Sequence, residues 1–169
     1  MFGSHGPAYF LRYPEGFEKF GRSCRTAEFT ECTLEEIVNA YDNTIAFTDN
    51  FLAEAIGVLD GQSRADTALI YVSDHGESLG DGGLYLHGAP YFMALELQTR
   101  VPMIMWMSEA FHDRFAIDVA CLSAKKDAAI SHDNLFHSLL GMLDIATVEH
   151  HAELDVFASC TSRQRIANR

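Results

Sequence analysis

Two short, unbroken apolar runs constrain the fold of this chain more than any other feature: Thr67 to Val72 and Val101 to Met107. Each is far shorter than the roughly 20 apolar residues that a membrane span requires. Neither shows the strict apolar–polar alternation of a strand with one wet face. Continuous apolar runs of this length, rich in β-branched and aromatic residues, are read as strands buried on both faces, and such strands are usually parallel. The segment before the first run has helical character. Thr33 stands where an N-cap is needed, and Glu36 three residues later completes a capping box. Ile37, Tyr41, Ile45, Phe51, Leu52, Ile56 and Leu59 then recur near helical spacing until Asp60-Gly61 ends the helix. A long helix with one apolar face, followed by a buried strand, predicts an α/β fold: a layered α/β/α arrangement around a mostly parallel sheet.

The remaining segments fit this frame. Residues 3–32 read as loop, punctuated by Gly3, Gly6, Pro7, Pro14, Gly16 and Gly21. Tyr9, Phe10, Tyr13, Phe17 and Phe20 are expected to pin that loop to a core. Residues 73–100 are Gly-rich and loop-like. Ser108 opens a short helix, and Ser131-His132-Asp133-Asn134 caps another that runs through Leu143. The tail from His150 is irregular. No linker divides the chain, so residues 1–169 are expected to form one domain or a large part of one.

Charge narrows the functions available. Asp and Glu number 24 against 12 Lys and Arg, a formal net charge of -12. Nucleic-acid phosphates require Lys and Arg, so general nucleic-acid binding is not expected. Electrostatic adsorption to anionic lipid is equally disfavoured. The four cysteines, Cys24, Cys32, Cys121 and Cys160, form no CxxC pair, which argues against a structural zinc knuckle. Cys24 and Cys32 lie close together in a polar stretch. A local disulfide in an oxidising compartment and free thiols in a reducing one are both compatible with that spacing.

The chemistry concentrates where the first buried run ends. Ligands in open α/β sheets bind outside the carboxyl ends of the strands. Here that position carries Asp74, His75 and Gly76. A carboxylate beside an imidazole offers a hard oxygen and a nitrogen, a pair that suits zinc. Gly76 permits a tight backbone turn. His87 lies in a second Gly-flanked loop, and Gly80, Gly82 and Gly83 give that loop the freedom to fold back. Taken alone, Asp-His-Gly is equally an Asx-type turn at a strand end.

The string from Ser73 to Gly88, Ser-Asp-His-Gly-Glu-Ser-Leu-Gly-Asp-Gly-Gly-Leu-Tyr-Leu-His-Gly, resembles the signature of phosphoethanolamine transferases, members of the alkaline phosphatase and sulfatase superfamily. The lipid A-modifying branch, which includes the mobile colistin-resistance enzymes, is the nearest look-alike. Gly3-Ser4-His5-Gly6-Pro7 with Tyr13-Pro14, Tyr41-Asp42-Asn43-Thr44, and Ser131 to His137 follow in the family's order and span nearly the whole chain.

The resemblance implies the following roles. Asp74 and His75 match ligands of a catalytic zinc. His87 and His5 match histidines associated with substrate or a second metal, and are the candidates for proton transfer at neutral pH. Cys24 and Cys32 match a family disulfide. Cys121 and Cys160 have no clear match, and pairing between them stays open. His132 and His137 are expected to be structural, and His112, His150 and His151 solvated. The implied reaction moves phosphoethanolamine from phosphatidylethanolamine to a lipid A or related lipopolysaccharide phosphate, through a phospho-enzyme, at the periplasmic face of the bacterial inner membrane. The family's threonine nucleophile and a glutamate ligand belong upstream of Gly3, as does its membrane domain. The chain is therefore expected to be the C-terminal portion of such a catalytic domain, inactive by itself. Another sulfatase-superfamily hydrolase, a phosphoglycerol transferase and a non-catalytic fragment are the alternatives.

Overall fold

In the computed structural model, residues 3–88 and 90–162 are described. They form two compact units: Met1–Val58 with Ile70–Ile104, and Leu59–Leu69 with Met105–Arg169.

The first unit is built on helix α1, Leu34–Asp60. Its start is the expected capping box. Glu36 N–H donates to Thr33 Oγ1 at 3.2 Å, and Thr33 N–H donates to Glu36 Oε2 at 2.9 Å. Two amide groups with no partner inside the helix are thereby satisfied. The expected stripe holds at Ile37, Tyr41, Leu52, Ile56 and Leu59, all buried or partly buried, and fails at Ile45 and Phe51. Ile37, Ala40 and Thr44 are buried, with Tyr41 partly so, whereas Ile45 and Phe51 are exposed. The reason is polar. Asn43 is fully buried because it binds the preceding loop: its Oδ1 accepts from Lys19 and Phe20 N–H, and its Nδ2 donates to Phe20 O and Ser23 Oγ. Four hydrogen bonds from one amide orient the helix with its 40–44 face inward.

Loop residues pack on that face as the aromatic content predicts. Tyr9, Cys24, Ile37 and Ala40 form a buried cluster, against which Phe29, Cys32, Tyr41, Leu79 and Leu86 pack. Tyr9 stacks on Phe29 with centroids 5.8 Å apart, and Phe17 meets Phe47 edge-on at 5.1 Å. Cys24 and Cys32 form a disulfide inside this cluster.

Strand β1 is Ala68–Val72. Strands β2 (Ser78–Leu79) and β3 (Tyr85–Leu86) form a small hairpin, followed by the one-turn helix α2, Glu96–Thr99, and strand β4, Met103–Met107. Strand β1 neighbours β4. Both apolar runs are thus strands, and the fold is α/β as expected. The direction of this pair differs from the parallel pairing anticipated. Ser73 N–H donates to Pro102 O, while Ser108 N–H donates to Thr67 O, so the end of each strand meets the start of the other and the two run antiparallel. Continuous apolarity reports burial on both faces, not strand direction.

The second unit holds the short helices α3 (Glu109–Arg114), α4 (Val119–Ala124) and α5 (Asp133–Met142). Ser108 caps α3 through Phe111 N–H, and Asp118 caps α4 through Cys121 N–H. Phe111, Ile117, Met142 and Phe157 are buried. Cys121 and Cys160 pair, closing a loop with a sequence separation of 39 against 8 for Cys24–Cys32. In the chain-entropy account the longer loop is the more stabilising of the two. Among the described residues, no helix is long and apolar enough to cross a membrane.

Candidate functional site

The chain leaves β1 at Val72 and turns at once. Ser73 Oγ donates to His75 O at 2.8 Å, and Asp74 Oδ1 accepts from His75 N–H at 3.1 Å. The Asp74 carboxylate thus bonds the adjacent amide and not the one two residues on that an Asx-type turn requires. Gly76 N–H then donates to Gln98 O at 2.9 Å. Glycine is needed here for a different reason from the one expected. A Cβ at Gly76 would collide with the carbonyl oxygen of Leu97, so the demand comes from close backbone approach and not from a left-handed turn.

The hairpin brings His87 back. Ser78 pairs with Leu86 and Leu79 with Tyr85, antiparallel. Gly80, Gly82 and Gly83 in the connecting loop take positive φ angles of 114°, 60° and 78°. Continuing the register by one step sets Glu77 opposite His87. Their side chains meet there, with His87 Nδ1 2.7 Å from Glu77 Oε1. Glu77 is buried, with 3% of its side chain exposed, and its other oxygen accepts from Gly6 N–H at 3.1 Å. That bond draws the His5 loop to the same place.

His5, His75 and His87 therefore converge. One ring nitrogen from each lies within 4.8 Å of the others, the one grouping of three or more such side chains among the described residues that has this geometry. The His75 and His87 rings stack with centroids 3.7 Å apart, and His5 meets His87 edge-on at 4.7 Å. Every Nδ1 faces an oxygen: His5 faces Gly6 O at 2.7 Å, His75 faces Gly76 O at 2.9 Å, and His87 faces Glu77. A carbonyl or carboxylate oxygen can only accept, so each Nδ1 carries the proton and each neutral ring has a bare Nε2. Metal-binding histidines show this pattern, one nitrogen donating to an oxygen and the other left for the ion. The donor set fits zinc.

Asp74 borders this group without joining it. Its side chain is 90% exposed, and its Oδ1 lies 3.9 Å from His75 Nε2. Tyr9 and Tyr41 stand behind the corner. Burial, and then the charge of Glu77, raise the pKa of both phenols. The Tyr9 hydroxyl lies within reach of that charge but outside hydrogen-bonding geometry. Both phenols stay protonated in the physiological range and act as packing.

The other histidines fall elsewhere. His137 accepts from His151 N–H through Nδ1, which agrees with a structural role. His150 is not solvated as expected. Its side chain is 12% exposed and its Nε2 lies 3.0 Å from Asp155 Oδ2, a fully buried side chain. His151 and His112 pair with Glu153 and Asp113. Polar neighbours in sequence gave no hint that the chain after α5 folds back over it.

Glu77 escaped the reading of the residues, although it lies between Asp74-His75 and His87. Its importance rests on strand pairing, which places it opposite His87. An acid after Asp-His-Gly carries no such signal until the hairpin register is known.

Known proteins share this arrangement. The sulfatase family model matches residues 1–145, and the chain belongs to the sulfatase family. The chain is 45% identical over 162 residues to the phosphoethanolamine transferase EptA of Escherichia coli K12, covering 94% of this chain and 29% of that protein. It superposes with a TM-score of 0.90 and 43% identity on the integral membrane lipooligosaccharide phosphoethanolamine transferase A of Neisseria meningitidis, covering 94% of this chain and 30% of that one. The C-terminal periplasmic domain of the phosphoethanolamine transferase EptC of Campylobacter jejuni matches with a TM-score of 0.84 and 39% identity, over 96% and 51% of the two chains. The chain thus spans less than a third of the curated relative's length.

Proposed function

We propose that the protein carrying this chain transfers phosphoethanolamine from phosphatidylethanolamine to a phosphate of lipid A or a related lipopolysaccharide, at the periplasmic face of the bacterial inner membrane. The supporting observation is the strand-end corner itself: three histidines, one ring nitrogen of each within 4.8 Å of the others, beside Asp74. Relatives named as phosphoethanolamine transferases at 45% and 43% identity give that corner its reaction class.

Asp74 and His75 are the residues that would hold zinc. A zinc ion there supplies Lewis-acid stabilisation of phosphoryl oxygens and activation of a hydroxyl nucleophile. His5 and His87, at the rim, carry the proton traffic of the two half-reactions. An imidazole titrates near neutral pH, so it can protonate a leaving alkoxide in one half and accept the acceptor's proton in the other. The small exposure of His87, 25% of its side chain, keeps it reachable by a headgroup while its orientation is fixed from behind.

The test uses the intact protein. Asp74→Ala and His75→Ala are expected to abolish both zinc retention and transfer from labelled phosphatidylethanolamine. Retained transfer in either variant would sink the assignment. Transfer from a phosphoglycerol or sulfate donor, with none from phosphatidylethanolamine, would move the protein to another branch of the superfamily.

A further inference from the structure

We infer that Glu77 is the positioning residue of this corner: it selects the nitrogen that His87 presents and ties the His5 loop to the hairpin with the same carboxylate. The inference rests on the zinc reading of the three histidines and adds a residue that acts through them.

A carboxylate buried to this degree is costly unless its oxygens are hydrogen-bonded. Glu77 is 7% exposed as a residue and spends each oxygen on a different segment. Oε2 accepts from Gly6 N–H, 71 residues away in sequence, and Oε1 faces His87 Nδ1. Gly6 is the immediate neighbour of His5. It comes so close that a Cβ there would lie 2.5 Å from Leu86 Cδ2 and 2.8 Å from the Tyr9 hydroxyl. The tether therefore has little slack. Both partners also require an acceptor. The Gly6 amide can only donate, and the His87 proton must point at the carboxylate for the 2.7 Å contact to form a hydrogen bond. With that proton held on Nδ1, the nitrogen that a neutral His87 has left to accept a proton is Nε2.

Glutamine at this position makes a sharp contrast. It is nearly the same shape, but only one end of its amide accepts. The Gly6 N–H claims the oxygen, so the NH2 group faces His87 Nδ1. That nitrogen must then accept, and the ring proton moves to Nε2. Glu77→Gln is thus expected to reverse the His87 tautomer with the backbone unchanged.

The experiment is nitrogen NMR of the 169-residue chain with its histidines 15N-labelled, metal-free, near pH 8, above the ordinary imidazole pKa of about 6.5. Wild type should show His87 protonated on Nδ1, and Glu77→Gln should show it protonated on Nε2. Zinc added to both should bind alike, because Asp74 and His75, and not His87, are the residues that would hold it. Wild-type His87 with its proton on Nε2, or one tautomer shared by both proteins, would overturn the inference. The wild-type spectrum decides it even where the variant does not fold. Absence of zinc binding by wild type would count against the metal reading alone, because the tautomer result is obtained without metal.

Discussion

Two histidine clusters lie among the described residues, and they differ in whether the rings converge on one point. In the first unit, His5, His75 and His87 turn every Nδ1 toward a fixed oxygen, and one ring nitrogen from each lies within 4.8 Å of the others. In the second unit, His137, His150 and His151 lie near one another in the same way, with ring centroids 5.0 and 6.2 Å from His137. One nitrogen of each is engaged by the fold. His137 Nδ1 accepts from the His151 amide, His150 Nε2 is held by Asp155, and His151 Nδ1 meets Glu153. Histidines in proximity therefore do not define a metal site. What separates the two clusters is that, among the described residues, only in the first does a ring nitrogen from each histidine converge within 4.8 Å of the others.

The comparison breaks most visibly at Asp155. Its Oδ2 meets His150 and its Oδ1 accepts from Phe157 N–H, and its side chain is fully buried. Asp155→Ala removes the acceptor that these two donors use, at roughly 1–3 kcal/mol each. A loss of about 4 kcal/mol is expected in urea denaturation of the chain, with zinc binding unchanged. An unaltered midpoint would mean that the second cluster does not hold its unit together.

The mirror-image change is His75→Ala. It should lower zinc affinity by more than about 100-fold, beyond the loss for an outer partner, while the thermal midpoint barely moves because the ring is only partly buried. His137→Ala, measured beside it by competitive chelator titration, should change zinc affinity less than about twofold. Equal losses from the two histidines would erase the distinction drawn between the clusters.

Gly76 sharpens the first cluster further, since it controls position rather than ligation. A methyl group there meets the Leu97 carbonyl. Gly76→Ala should cost about 1–3 kcal/mol, the usual range for overpacking. The His75 side chain would be displaced with its backbone, so a weaker zinc signal should accompany the lower denaturation midpoint. A variant with wild-type stability would show that the crowding at Leu97 relaxes freely.

Much of this was legible in the residues, and the exceptions share a cause. The capping box at Thr33 and Glu36, the existence of both strands, and the return of His87 through a Gly-rich loop follow from local pattern, whereas the expected burial of the strands does not: β1 is half-buried throughout and Ile104 of β4 is exposed. What escaped depends on partners distant in sequence. The inward face of α1 is set by Asn43 binding residues 19–23. The antiparallel direction of β1 and β4 is set by pairing, to which apolar content is blind. Glu77 gains its place from a hairpin register, and His150 from a chain that folds back on α5. Within the candidate site, Asp74, His75, His87 and His5 were identified by type and motif. The structure adds which of them face one another: three histidines converge, and Asp74 stands at their border.

The smallest expected effect lies at the exposed edge of the second cluster. Glu153 has its pKa held below its ordinary value near 4.5, first by a hydrogen bond from its own amide and then by the His151 side chain. A carboxyl whose folded pKa is depressed stabilises the native state above the unfolded pKa. That contribution disappears as pH falls through the folded value. Wild type should therefore lose stability below about pH 4.5 slightly faster than Glu153→Gln, with the two curves parallel near neutrality. The offset will be small because the group is solvent-exposed and screened. Denaturation midpoints taken at intervals from neutral to acid pH check it. Identical acid limbs would show that His151 and Glu153 contribute nothing, leaving the second cluster to His137, His150 and Asp155, where the burial is.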